Sequence, residues 1–257
     1  MARARRDHAA DAGGDRELLD AKAALRHEVW TRLEDARVTR FPGARHRISN
    51  FVGAEAAAER LRDTAAWAGA ATIKANPDSP QWPVRQRALE DGKTVFMAVP
   101  RLAEDEPFLL LDPDHLADTP RRASSIKGAT GSARRVAVED LEPVDLVVTG
   151  CVAVTEDGLR LGKGGGFADL EFAVASEAGM VGPDTLVVTT VHELQVLPAG
   201  AIPATAHDVR VDLIVTPERV VEVAREGERP PGRIVWDELT RDKIDAIPLL
   251  ARLAADR

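Results

Sequence analysis

The sequence predicts an α/β fold in three layers, a mainly parallel sheet with helices on both faces. Near-continuous apolar runs recur at residues 93–99, 144–149, 185–191 and 209–215, and a strand that is apolar on both faces must be covered on both. Stretches of helical period alternate with these runs, as crossovers between parallel strands require. The 257 residues are 44% hydrophobic but only 4% aromatic, with no Tyr. A chain of this length can therefore bury one large core, built mostly of Ala, Val, Leu and Ile.

The elements follow in order. Residues 1–16 are charged, contain Gly13 and Gly14, and read as a disordered tail. From Glu17, Leu18, Leu25, Val29 and Leu33 recur at steps of seven and four and form one helical stripe. Lys22 and Arg26 lie one turn apart beside that stripe. Phe41-Pro42-Gly43 ends the region, and an Ala-rich helix is expected over 54–67. A strand at 70–74 leads into the turn residues Asn76-Pro77-Asp78-Ser79-Pro80, then a helix at 84–91 and the strand at 93–99. Residues 108–111 are another short apolar run, whereas 121–135 mix Arg, Ser, Gly and Lys and read as a mobile basic loop. After the strand at 144–149 come a Gly-rich loop at 158–166, a helix at 167–178, and the strands at 185–191 and 209–215. Arg229-Pro230-Pro231-Gly232 then links to a C-terminal helix over 242–255, interrupted near Pro248. The expected division is a tail at 1–16, one α/β domain at 17–225, and an extension at 226–257 packed on it.

Bulk properties narrow the function. A net charge of −8 argues against a general nucleic-acid binder. Cys151, the single cysteine, forms neither an internal disulfide nor a multi-thiolate zinc site, and in a valine-rich stretch it reads as a buried apolar residue. The charged N-terminus has no apolar run of the signal-peptide kind, and no stretch approaches the ~20 apolar residues of a membrane span. A cytoplasmic protein with no membrane or nucleic-acid partner is expected. His192-Glu193 lacks the second His of a zincin helix, and no Gly-x-Ser-x-Gly elbow is present.

The chemically informative segment is the strand Val144-Asp145-Leu146-Val147-Val148-Thr149 with the glycine-dense turn and helix that follow it. Glycines let backbone approach an anion, and a helix start offers unpaired N–H groups and a positive dipole end. Arg160 and Lys163 add charge where phosphates would sit, and Asp169, one turn into the helix, suits a hard cation such as magnesium. The spacing is not that of a Walker loop, because Lys163 is followed by Gly, nor that of a dinucleotide fingerprint. On its own the loop can also be read as a structural turn.

The run Arg160-Leu161-Gly162-Lys163-Gly164-Gly165-Gly166-Phe167-Ala168-Asp169 resembles the Arg-Leu-Gly-x-Gly-x-Gly-Tyr-Tyr-Asp signature of the 5-formyltetrahydrofolate cyclo-ligases, also called methenyltetrahydrofolate synthetases. Lys22-Ala23-Ala24-Leu25-Arg26 is similar to the family's Lys-x-x-x-Arg helix, and Pro183-Asp184-Thr185-Leu186, Gln195 and His207-Asp208-Val209-Arg210-Val211-Asp212 follow in the family's order, so the likeness covers about residues 20–220. Trp30, Asn50-Phe51, Lys74-Ala75-Asn76-Pro77-Asp78-Ser79-Pro80-Gln81, Arg101-Leu102, Thr189-Thr190-Val191-His192 and the tail from Arg229-Pro230-Pro231-Gly232 to Leu253 look like its methenyltetrahydrofolate synthase domain-containing branch. The resemblance implies ATP-dependent closure of 5-formyltetrahydrofolate to 5,10-methenyltetrahydrofolate, with ATP and Mg2+ as cofactors, a reduced folate as substrate, and a monomer or homodimer. It implies a nucleotide site of Lys22, Arg26, Arg160, Leu161, Gly162, Lys163, Gly164, Gly165, Gly166, Phe167 and Ala168. Folate would meet Lys163, Gly164, Gly165, Gly166 and Phe167, the metal Asp169 and Asp208, and Arg160 and Lys163 would act in catalysis.

Two departures fall on the folate side. Phe167-Ala168 replaces the family's Tyr pair, and no Glu stands near 79–81, where the enzymes hold the pterin edge; Asp78 lies beside that position. Two other readings therefore stand beside the enzyme: a non-catalytic nucleotide- or folate-binding regulator, and an ATP-dependent enzyme of altered substrate. Trp82 is placed either to stack on a pterin or to pack, His192 either to meet a ligand or to hold a turn, and the loop around Lys127 either to meet an anionic tail or to be solvated.

Overall fold

The computed structural model describes residues 2–99, 102–205, 208–224 and 232–255, with side chains from Arg16 onward apart from Glu238. An eight-stranded sheet is ordered β11-β10-β8-β5-β1-β2-β3-β4. Its strands are β1 (Thr72–Ala75), β2 (Thr94–Ala98), β3 (Phe108–Leu111), β4 (Arg134–Val136), β5 (Leu146–Thr149), β8 (Leu186–Thr190), β10 (Leu213–Val215) and β11 (Val220–Glu222). The five central strands, β10, β8, β5, β1 and β2, run parallel, and antiparallel strands close both edges. A second sheet of order β7-β6-β9 joins β6 (Ala153–Thr155), β7 (Arg160–Leu161) and β9 (Val196–Leu197).

The three layers follow from the period of two along each central strand. Phe96, Val147, Val187 and Ile214 face one core, where they meet Leu170, Phe172 and Val174 of α7 (Phe167–Glu177) and Leu249 and Leu250 of α9 (Pro248–Ala255). Their neighbours Val95, Met97, Leu146, Val148, Val188 and Val215 face the opposite core. That side is covered by Leu61 of α2 (Ala54–Arg62), Trp67 of α3 (Ala65–Gly69) and Val84, Ala88 and Leu89 of α4 (Trp82–Glu90). Helix α1 (Ala2–Asp35) packs elsewhere: Val29, Trp30 and Leu33 lie on the small sheet against Val152, Ala153, Leu159 and Leu161.

Several expectations are corrected. α1 begins well before Glu17, and its helical backbone continues through the segment read as a tail, where Ala and Arg favour helix. The helix expected over 54–67 is two, because Thr64 caps α3 by accepting from Trp67 N at 3.2 Å. The basic segment 121–135 is not a loop. It forms α5 (Pro120–Ala123), α6 (Ile126–Ser132) and most of β4. Pro120 opens α5, Ser125 caps α6 by accepting from Gly128 N at 3.0 Å, and Ala123 and Ala129 are buried in the second core. Gly128 is required there, since a Cβ would lie 1.9 Å from Arg122 O. Trp82 packs rather than waits for a ring: its indole N–H donates to Arg121 O at 3.0 Å, and the Arg121 guanidinium lies 4.9 Å from its centroid. The C-terminal helix breaks before Pro248 into α8 (Arg241–Asp245) and α9. Arg101, His207 and the 229–231 linker residues lie outside the described residues.

Candidate functional site

The chain leaves β1 towards β2 on one side of the sheet and returns at β5 on the other, so the strand order reverses between β1 and β5. Ligands of open α/β sheets gather at such a point, at the C-terminal ends of the strands. The segment after β1 is held there by Arg85. This guanidinium is 1% exposed and donates to the carbonyls of Asn76, Pro77, Asp78 and Ser124. Burial lowers it to about 10, so it stays charged at neutral pH. After β5, Gly150 lets backbone pass close to Gln81 and Ile48, as a Cβ would meet both at 2.8 Å. Cys151 is buried, its thiol pushed up to about 11 by desolvation, which leaves it protonated and unreactive.

The chain then forms β6 and β7 and enters the turn 162–166. Pairing of Arg160 with Val154 fixes where the Arg160 side chain starts. Its Nη2 donates to Asp169 Oδ1 at 2.5 Å. Its Nε and Nη1 are buried and have no hydrogen-bond partner among the described residues. Buried guanidinium donors without partners are rare in folded proteins and mark a place for a ligand acceptor. Gly164 has φ +100°, and the Arg26 guanidinium carbon lies 3.5 Å from where its Cβ would stand. Arg26 Nε donates to Gly162 O at 2.7 Å, so α1 holds one rim of the turn. Gly166, at φ +64°, is the N-cap of α7, and no side chain caps that helix start. A buried ion pair between Lys74 of β1 and Glu171 of α7 ties the helix to the sheet.

The remaining sequence-predicted residues divide. Lys22 is 8% exposed and binds Asp208 Oδ2 at 3.0 Å. Burial works to raise the Asp208 carboxyl, but hydrogen bonds from Lys22 and Thr205 outweigh it and hold it below the usual range. Lys163, half exposed, reaches Asp78 Oδ1 at 3.5 Å, so the loop after β1 and the Gly-rich turn face each other. The two carboxylates read as metal ligands are thus engaged by different cations, Asp169 by Arg160 and Asp208 by Lys22. No group of three His, Cys, Asp or Glu gathers as a metal site among the described residues. His192 holds a turn: its Nδ1 accepts from Leu194 N at 3.1 Å, and the ring stands edge-on to Phe51. One neighbour of the turn escaped the sequence reading. Lys243 of α8 donates to Gly165 O at 3.2 Å, and the only local hint was a basic residue inside a C-terminal amphipathic stretch.

The sequence model of the 5-formyltetrahydrofolate cyclo-ligase family matches residues 17–217. The chain belongs to this family. The cyclo-ligase match ends before the extension that carries Lys243. Among its relatives, the methenyltetrahydrofolate synthase domain-containing protein of Bos taurus is 37% identical over 91% of this chain, and that of Homo sapiens is 34% identical over the same share. The chain spans 62% of the length of each. The mitochondrial 5-formyltetrahydrofolate cyclo-ligase of Arabidopsis thaliana is 36% identical over 37% of this chain and 35% of its own. The solution structure of Aquifex aeolicus 5,10-methenyltetrahydrofolate synthetase superposes with a TM-score of 0.50 and 21% identity, covering 84% of this chain and 98% of that one, and so shares its fold.

Proposed function

We propose that this cyclo-ligase family member closes 5-formyltetrahydrofolate to 5,10-methenyltetrahydrofolate at the turn 162–166, at the expense of ATP and with magnesium. The observation that carries the reading is the pair of buried, unpartnered Arg160 donors beside a glycine turn that opens an uncapped helix. These donors, the amides at the start of α7 and the Arg26 guanidinium suit phosphate oxygens. Lys163 is free to exchange Asp78 for a phosphate, because a half-exposed contact at 3.5 Å is weak. Asp169 offers a carboxylate at the same helix start, and Asp208, which Lys22 keeps ionised, offers a second. Two carboxylates with phosphate and water are a usual set for magnesium, which does not need an all-protein cage.

Bound ATP supplies the phosphoryl group that turns the formyl oxygen into a leaving group, so that the products are the methenyl folate, ADP and phosphate. The chain's own contribution is positioning and charge neutralisation, and no side-chain nucleophile is needed. Arg160 and Lys163 face the charge that develops on the transferred group, and Phe167 and Asp78 border the turn where the folate would lie. Mixing the protein with Mg·ATP and 5-formyltetrahydrofolate tests the reading through the near-ultraviolet absorbance of the methenyl product. Tight ATP binding without product would favour the second reading, an ATP-dependent enzyme of altered substrate, which Phe167-Ala168 in place of two tyrosines supports.

A further inference from the structure

The C-terminal extension lies beyond the family match and is not a loose appendage. Ile234, Ile247, Leu249 and Leu250 are buried in the core that α7 shares with the sheet. Gly232 lies so close to α7 that a Cβ would meet Phe172 and Ser176 at 2.8 Å, and Ile234 N donates to Glu177 Oε1 at 2.9 Å. These contacts anchor the extension along the middle and C-terminal end of α7, ahead of α8 in the chain. Thr240 caps α8 by accepting from Lys243 N at 3.2 Å.

The Lys243 side chain then does something that packing alone does not require. Its ammonium lies 5.3 Å from the Phe167 ring centroid, donates to Gly165 O at 3.2 Å, and stands 3.0 Å from where a Cβ on Gly166 would be. Burial pushes the ammonium below its ordinary value while the nearby Asp169 charge opposes the shift. A long cation would reach solvent at little cost, yet this one is held over the helix start. Among the described residues no carboxylate forms an ion pair with it, unlike Lys22 and Lys163, which each bind an Asp. Arg26 lies against the same turn at Gly162 and Gly164.

We propose that Lys243 is a phosphate-binding residue, supplied by the extension to complete the cation ring around the turn 162–166 and to contact the outer phosphates of a nucleoside triphosphate. This rests on the nucleotide reading of the turn given above. Arg26 comes from α1, Arg160 and Lys163 from the turn region, and Lys243 from the far end of the chain, so the polyphosphate would be surrounded on all sides by positive charge. Phe167 acts as the platform that holds the ammonium in place, which gives this position a use that needs no hydroxyl.

The test is calorimetric titration of the full chain with Mg·ATP and with AMP, for the wild type, Lys243→Met and Lys243→Arg. Methionine keeps the apolar stem over Phe167, so the extension stays packed. Loss of one partly solvated charge-assisted contact should weaken Mg·ATP about five- to tenfold and leave AMP within about twofold. Lys243→Arg should retain binding within about twofold of the wild type. Unchanged Mg·ATP affinity in Lys243→Met, with the wild type binding normally, overturns this proposal alone. Equal losses for ATP and AMP accompanied by a lower melting temperature overturn it too, because Lys243 is then a strap between α8 and α7. A wild type that does not bind Mg·ATP overturns the function reading and this proposal with it.

Discussion

Arg160 concentrates the chemistry of the site in a single side chain. One of its nitrogens binds Asp169, and two more are buried without partners among the described residues. Leaving such donors unpaired costs roughly 1–3 kcal/mol each in a folded protein, a cost that ligand oxygens remove. Arg160→Ala and Lys163→Ala are each expected to weaken Mg·ATP binding about tenfold or more, by calorimetry, with a smaller effect for Lys163 because it is half solvated. Unchanged binding in both would place the nucleotide elsewhere. His192 supports a pH prediction. Burial lowers its imidazole below the ordinary 6.5, against Glu218 and Glu193, which act to raise it. The folded state thus prefers the neutral ring, and the unfolded state takes up protons first as pH falls. The stability this residue contributes is present above about 6.5 and is lost as pH falls from there towards the lowered folded value. His192→Asn, whose side-chain oxygen can still cap Leu194 N, should flatten that part of the stability–pH curve measured by chemical denaturation. A slope unaltered by the substitution would mean that other groups titrate there.

Helix α7 links the sheet to the glycine turn, and its placement depends on one buried ion pair. Lys74 sits at 2% exposure on β1 and Glu171 at 6% on α7. Removing one partner strands a charge in the core, which typically costs about 3–5 kcal/mol, whereas replacing both by apolar residues is often close to neutral. Lys74→Met should therefore lower unfolding free energy by roughly that amount. Lys74→Met combined with Glu171→Leu should recover most of it. A double variant no better than the single would show that the pair does more than neutralise itself. The same logic of local capping explains why 121–135 is helical. Ser125 and Pro120 start short helices whose buried alanines face the core, while Arg121, one of the arginines that suggested a loop, packs its guanidinium on the Trp82 ring.

For the molecule as a whole, the damage relative to the family signature lies on one side of the site. The cations and glycines of the proposed phosphate side are all present, while Phe167-Ala168 replaces two hydroxyl-bearing rings of the family signature. Phe167→Tyr combined with Ala168→Tyr is expected to raise turnover of 5-formyltetrahydrofolate while leaving Mg·ATP affinity within about twofold, since tyrosine keeps the ring beneath Lys243 and the added hydroxyls are not needed to bind phosphate. Efficient turnover by the unmodified chain at micromolar folate would show that Phe167 and Asp78 already suffice.

The sequence by itself determined the layered parallel sheet, the glycine turn, and most of the strands that position it. Those features are written in periods of two and 3.6 residues and in turn chemistry, which depend only on near neighbours. Tertiary structure alone decided that Lys22 meets Asp208 rather than leaving it open, and that Arg160 takes Asp169. It also decided that α1 belongs to a small second sheet, and that Lys243 returns to Gly165 from the other end of the chain. Pairings across 186 and 78 residues leave no local pattern. They follow from which apolar faces the helices bury, and a polar side chain carried on such a helix goes wherever that packing takes it.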